Sequence, residues 1–128
     1  MKSAFNYAEC STAGRLKVGC VIVKDHRIIS IGYNGMPSGW SNICEDGDFV
    51  TKPEVLHAEE NAITKLARST ESGEGAIAFI THVPCLSCAK LLYSSGIIGV
   101  YYTHPYRNTG GLDFLNDCNI KVNAYADN

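Results

Sequence analysis

Two short stretches hold the residues best equipped for chemistry: His-Ala-Glu at 57–59 and Pro-Cys-Leu-Ser-Cys at 84–88. Cys85 and Cys88 stand three positions apart at the start of a predicted helix, which puts both thiols on one face. Pro84 suits the first helical position, where its missing N–H would have had no partner. The partial positive charge of a helix N-terminus favours thiolates. Two thiolates there form a soft ligand pair for zinc, or a redox pair. A structural zinc would need two more Cys or His at short spacing, and the sequence has no second CxxC and no HxxxH. It does have His57, 28 positions upstream at the start of another predicted helix. Three protein ligands with an open fourth position is the catalytic arrangement, in which the pKa of a zinc-bound water falls to about 7.

Glu59 adds a geometric argument. At roughly 100° per residue, Ala62, Ile63, Leu66 and Ala67 form one apolar stripe of a helix over 55–68, with Glu59 near its middle and Glu60 towards the polar edge beside Thr64. Glu59 is therefore the carboxylate expected to be buried, at a cost that something must offset. Beside an activated water it would serve as general base and acid. His57 and Glu59 are about 200° apart around the same helix. They converge only on a point beyond the helix end, which sets the metal between two helix N-termini. Taken singly, Glu59 reads as a hydrogen-bonded core glutamate and His57 as a helix-start histidine. The order and spacing of the whole set favour the metal site.

The elements that must position these groups are legible from patterning. A short helix is expected over 2–10. Apolar runs at 17–23 and 27–33, joined by the polar turn 24–26, read as a β-hairpin. Residues 34–53 form a long stretch rich in Gly, Pro, Asn and Asp, of the kind that tends to be functional. From residue 55 helices alternate with strands: helix 55–68, strand 76–81, helix 85–95, strand 97–103, helix 112–118, strand 120–124. That alternation predicts crossovers and a mixed sheet, hence one α/β domain of five strands over 1–128.

Composition narrows the function classes. A 45% hydrophobic fraction supports one core, and 19% charged residues argue against a disordered charge-rich tail. The net charge of −2 speaks against a nucleic-acid backbone as the main partner. No apolar run approaches the ~18 residues of a membrane span, and the N-terminal residues lack a signal-peptide hydrophobic region. A soluble, cytoplasmic protein is expected, of a cell or a phage-infected host. Six cysteines in a reducing compartment point to metal binding or burial rather than disulfides.

The combination H-x-E…P-C-x-x-C is the signature of zinc deaminases acting on bases. With it in view, the chain resembles the cytidine/deoxycytidylate deaminase superfamily from about residue 10 to 125. Further matching segments are Val18-Gly19-Cys20-Val21-Ile22-Val23, Gly32-Tyr33-Asn34-Gly35-Met36-Pro37-Ser38-Gly39, His57 through Ile63, 84–90 and Ser95-Gly96-Ile97. The GYNGMPSG segment draws the resemblance towards the deoxycytidylate (dCMP) deaminases of phage and eukaryotic type. Free-cytidine deaminases usually carry Cys where His57 stands.

The resemblance implies a three-layer α/β/α fold, usually a homohexamer. It also implies one catalytic Zn2+ per chain on His57, Cys85 and Cys88, with Glu59 as the proton-transferring group. The implied reaction is hydrolysis of dCMP to dUMP and ammonia, which supplies dUMP for thymidylate synthesis. By the same resemblance Asn34 binds the sugar, the Ala58 N–H the base, and Tyr106 the base or phosphate. Lys17, the cation at the mouth of the first strand, is a candidate phosphate contact. Many relatives are activated by dCTP with Mg2+ and inhibited by dTTP, and Arg68 falls where such an effector contact is expected. Cys10 and Cys44 match part of a second, structural zinc site of some phage relatives. The His-bearing segment that completes that site is missing, so no second zinc is expected. Cys20 and Cys118 read as core, His82 and His104 as non-ligands, and the acidic run 45–48 as a solvated loop. Two alternatives stand beside this reading. One is a zinc deaminase of tRNA adenosine, single-stranded DNA or free bases; the other is a catalytically silent zinc- and nucleotide-binding protein.

Overall fold

The strand pair at the front of the chain, β1 (Gly19–Lys24) and β2 (Arg27–Tyr33), is a tight antiparallel hairpin in the computed structural model, which describes residues 1–125. Lys24 pairs with Arg27, leaving a two-residue turn in which Asp25 and His26 both take positive φ (51° and 63°). Two positive φ values match the right-handed strand twist. Ahead of the hairpin, α1 (Lys2–Ala8) is one residue pair shorter than the pattern suggested. Beyond it follow α2 (Ala58–Ala67), β3 (Ile77–His82), α3 (Leu86–Ser94), β4 (Gly99–His104), α4 (Gly110–Asp117) and β5 (Lys121–Ala124). The last three residues of the expected 1–128 domain lie outside the described residues.

The five strands form one sheet in the order β2-β1-β3-β4-β5. β1 is antiparallel to both β2 and β3, while β3–β4 and β4–β5 are parallel across the helices α3 and α4. The sheet is thus the expected mixed α/β sheet of five strands, flanked by four helices. Side chains alternate between its faces. Cys20 and Ile22 of β1, Ala78 and Ile80 of β3 and Val100 of β4 form the core with Ala62 and Leu66 of α2, Leu92 of α3 and Leu115 of α4. The opposite face meets α1, whose backbone lies so close to Gly19 that a methyl there would strike the Ala4 carbonyl. Among the described residues, no helix is long and apolar enough to cross a membrane.

Two close approaches fix the parts of the fold that matter for chemistry. At Gly32 of β2 a methyl would collide with the backbone carbonyl of Ala58, so the first turn of α2 rests directly on the sheet. Ser30 and Asn61 pin the same contact: the Ser30 hydroxyl donates to Ala62 O (2.6 Å) and the Asn61 amide to Tyr33 O (2.8 Å). At Gly111 a methyl would meet the Pro84 carbonyl, which holds the start of α4 against the start of α3.

A Gly32→Ala variant therefore forces either α2 or β2 to move. Overpacking of this kind costs about 1–3 kcal/mol, and thermal denaturation should show a fall in Tm of several degrees. Gly35→Ala is the control, since nothing lies within 4 Å of the added methyl; its Tm should stay at the wild-type value. Equal Tm values for all three proteins would refute the packing argument.

Candidate functional site

The carboxyl ends of β3 and β4 are where an α/β sheet usually carries its ligand, and the candidate residues meet beside β3. The sequence pattern put helix starts at 55 and 85. Both helices start later, and this changes the roles of the ligands. His57 is the N-cap of α2 and Cys85 the N-cap of α3, each with extended backbone. Pro84 precedes the cap and is fully buried instead of opening the helix. Cys88 is then the third residue of α3, and buried. The His57 N–H donates to Glu60 Oε1 at 2.8 Å, which holds the cap and orients the ring.

His57 Nδ1 lies 3.3 Å from Cys88 Sγ and 3.6 Å from Cys85 Sγ. All three donor atoms fall within 4.8 Å of one another. A tetrahedral zinc, with bonds of about 2.3 Å to sulfur and 2.0–2.1 Å to nitrogen, would hold such N···S pairs at roughly 3.5 Å. The donor set and its two N···S spacings fit that ion. Among the described residues this is the one group of three or more potential ligands so gathered.

The electrostatics of the cluster follow from crowding. A hydrogen bond from the Cys88 thiol, then one from His57, pulls the Cys85 thiol down to about 3, against the effect of burial. The same Cys85 thiolate raises His57 to about 9. Cys88, hydrogen-bonded to Cys85, buried and facing Glu59, is pushed far above the ordinary thiol range. Glu59 is 4% exposed, and burial lifts its carboxyl to about 7, with its own N–H and His57 opposing the rise. Of the stripe expected around Glu59, Ala62 and Leu66 are buried, Ile63 is half-buried, and Ala67 is exposed because the helix ends there.

His57, Glu59 and Cys85 border a cavity of about 490 Å³, within the range that suits a small ligand. Asn34, Ala58 and Tyr106 line it as well. The Asn34 amide is bonded at both ends to backbone, accepting from Val18 N (2.9 Å) and donating to Leu16 O (2.8 Å), so it shapes the wall. Ala58 is the first residue of α2, where an N–H has no partner within the helix. Lys17 and Arg68 do not line the cavity; both are exposed, Arg68 at the far C-cap of α2.

Three ionisable wall residues are not among the candidate site residues read from the sequence: Arg15, Glu45 and His82. The acidic run 45–48 is only partly the solvated loop expected. Asp46 and Asp48 are exposed, while Glu45 turns to the cavity and accepts the Gly14 N–H at 2.6 Å. His82 is half-buried beside the Thr81 hydroxyl (2.7 Å), and desolvation, then His104, lowers its pKa. Cys20 is buried as expected; Cys118 is only half-buried, because α4 ends before it. Cys44 is buried near Thr12 Oγ1 (3.6 Å), and Cys10 is exposed.

Residues 1–104 match the family model described as the cytidine and deoxycytidylate deaminase zinc-binding region. ComE operon protein 2 of Bacillus subtilis is 38% identical over 104 residues, covering 75% of this chain and 55% of that protein. The deoxycytidylate deaminase of Saccharomyces cerevisiae is 37% identical over 136 residues, covering 98% and 43%. This chain thus spans about half the length of these two relatives. The crystal structure of dCMP deaminase from cyanophage S-TIM5 in complex with dCMP and dUMP superposes with a TM-score of 0.95 at 42% identity, over 97% of this chain and 92% of that one.

The protonation pattern predicts what metal uptake does in protein stripped by a chelator. At pH 7 Cys85 is already a thiolate, whereas His57 and Cys88 hold protons that a metal must displace. Zinc binding should release about two protons. Because bound protons compete, apparent affinity should rise up to ~100-fold per pH unit below about pH 9, and fall on acidification. Titration calorimetry in buffers of different ionisation enthalpy measures the count; no proton release would contradict this charge state.

Proposed function

The chain belongs to the cytidine and deoxycytidylate deaminase family, and from that premise we propose that it hydrolyses dCMP to dUMP and ammonia. The observation that carries this reading is the buried Glu59 carboxyl on the same cavity wall as His57 and Cys85 of the His57–Cys85–Cys88 donor set. When bound there, zinc supplies Lewis-acid chemistry and a water acidic enough to react near neutral pH.

The rest is work for this chain's own side chains. Glu59 takes a proton from the attacking water and delivers it to N3 of the cytosine ring. As the water oxygen bonds to C4, its second proton stays on the new hydroxyl. Glu59 takes that proton and hands it to the amino group, the C4–N bond breaks as C4=O forms, and water plus substrate becomes uracil nucleotide plus ammonia. A carboxyl whose pKa lies near the working pH can both accept and return the proton. The Ala58 N–H, at the first residue of α2 and on the cavity wall, is assigned to the base. Asn34 and Tyr106, on the same cavity wall, are assigned to the sugar and the base.

The phosphate contact assigned to Lys17 moves two residues along, to Arg15. It is the one Lys or Arg on the cavity wall and is exposed. Among the described residues it belongs to no ion pair, the Arg27–Glu71 pair (2.9 Å) being elsewhere. A guanidinium offers a phosphate two parallel hydrogen bonds. The reading extends to a homohexamer, which the exposed Trp40, Ile43, Phe49, Leu86 and Leu91 support. Activation by dCTP with Mg2+ has the family resemblance behind it, with Arg68 as its contact.

Ammonia release from the zinc-loaded protein with dCMP tests the assignment. Glu59→Ala should lower turnover by roughly 10²–10⁴-fold while zinc content and dCMP binding persist. Retained turnover in that variant would sink the mechanism. Arg15→Ala should raise KM for dCMP by about tenfold or more, the scale of a lost charged hydrogen bond. It should leave deoxycytidine, which lacks the phosphate, nearly unchanged, and Lys17→Ala should move neither. Equal effects on the two substrates would rule out a phosphate contact at Arg15.

A further inference from the structure

Among the described residues, one buried side-chain oxygen or nitrogen has no hydrogen-bond partner: Glu45 Oε2. A carboxylate oxygen withdrawn from water without a donor is costly. The surroundings keep it there. Glu45 is bridged to Thr51 across a short loop, the Lys52 N–H donates to Cys44 O (2.8 Å), and the Asp46 N–H donates to Val50 O (2.8 Å). Its other oxygen, Oε1, is tied to the Gly14 N–H, and a methyl at Gly14 would come within 2.9 Å of it. The loop and Gly14 thus hold one carboxylate against the cavity wall with half of its accepting capacity unspent.

The missing donor has a natural source. Gly14 adjoins Arg15 in the chain, so Glu45 lies at the side of the cavity where the phosphate is assigned. It is not part of the His57–Cys85–Cys88 cluster that marks the base end. The sugar of a nucleotide is covalently between base and phosphate, and the deoxyribose of dCMP carries a single free hydroxyl, at C3′. The Asn34 amide, the alternative sugar contact, already spends one donor and one acceptor on Leu16 and Val18. We propose that Glu45 accepts a hydrogen bond from the 3′-hydroxyl of the substrate and is a specificity-determining residue for the sugar. The inference rests on the dCMP reading above.

The test compares kcat/KM for dCMP and for 2′,3′-dideoxycytidine 5′-monophosphate on zinc-loaded protein. The wild type should favour dCMP by roughly tenfold or more, the scale of a hydrogen bond to a charged group. Glu45→Ala should lose activity on dCMP and bring the ratio to within about threefold of unity. Should that variant fail to fold or hold zinc, Glu45→Gln carries the comparison. It keeps an acceptor for Gly14, and the weaker acceptor should narrow the ratio by about threefold or more. A wild-type ratio near unity overturns the proposal. So does a ratio unchanged in the variants while both rates fall together, which would leave Glu45 an anchor for Gly14 alone. A zinc-loaded wild type inert towards dCMP overturns the deaminase reading and this inference with it. An active wild type with an unmoved ratio overturns only the assignment of Glu45.

Discussion

Everything in this molecule depends on two helix N-termini meeting. The Cys85 thiolate and the buried Glu59 carboxyl are like charges in a poorly solvated place, and Cys88 adds a third acidic group. Left alone such a cluster would repel itself apart or take up protons. The partial positive charges of two helix starts, together with the His57 ring, offset part of that cost. What remains is a strong demand for a divalent cation, met by three donors already at ligand spacing.

The sheet order makes the meeting possible. β1 separates β2 from β3, so α2, which follows β2, and α3, which follows β3, start at the same edge two strands apart. Bringing them into contact requires the start of α2 to lie flat on the sheet, and Gly32 permits this. The chain between β2 and α2 must leave and return: Gly35 and Leu56 exchange both backbone hydrogen bonds (3.1 and 2.8 Å). Everything between those two residues is thereby free to build a wall over the site. A long segment without periodicity is the consequence of asking one connection to carry specificity.

This division explains what could be read in advance. His57, Glu59, Cys85 and Cys88 were legible because their spacing within a helical turn and their chemical types are local properties of the sequence. The alternation of apolar runs likewise yields five strands and their crossovers. Arg15 and Glu45 were not legible. Gly14 and Glu45 touch across a separation of 31 residues that spans the whole β1–β2 hairpin, and no pattern in the irregular stretches on either side announces the contact. Lys17 lies off the cavity wall and Arg15 on it for a related reason. The first strand begins at Gly19 and not at 17, so the mouth of the strand is not where the apolar run begins. Cap positions were misjudged by one to three residues, because a cap is set by where the chain turns. That shift changed Pro84 from a helix opener into a buried brace against Gly111.

The charge layout bears on why a chain of net charge −2 can suit an anionic substrate. Net charge governs long-range attraction, which a polyanion would need along a whole basic stripe. A mononucleotide needs one well-placed cation, and the wall offers one guanidinium with no carboxylate bound to it among the described residues. Glu45 and Glu59 then work in favour of selectivity. On the dCMP reading the sugar hydroxyl and the ring nitrogen are the groups that these carboxyls can engage. On the proposed reading Arg15, Glu45 and Glu59 suit one phosphorylated nucleoside, and a wall with a single cation gives a longer polyanion little to hold.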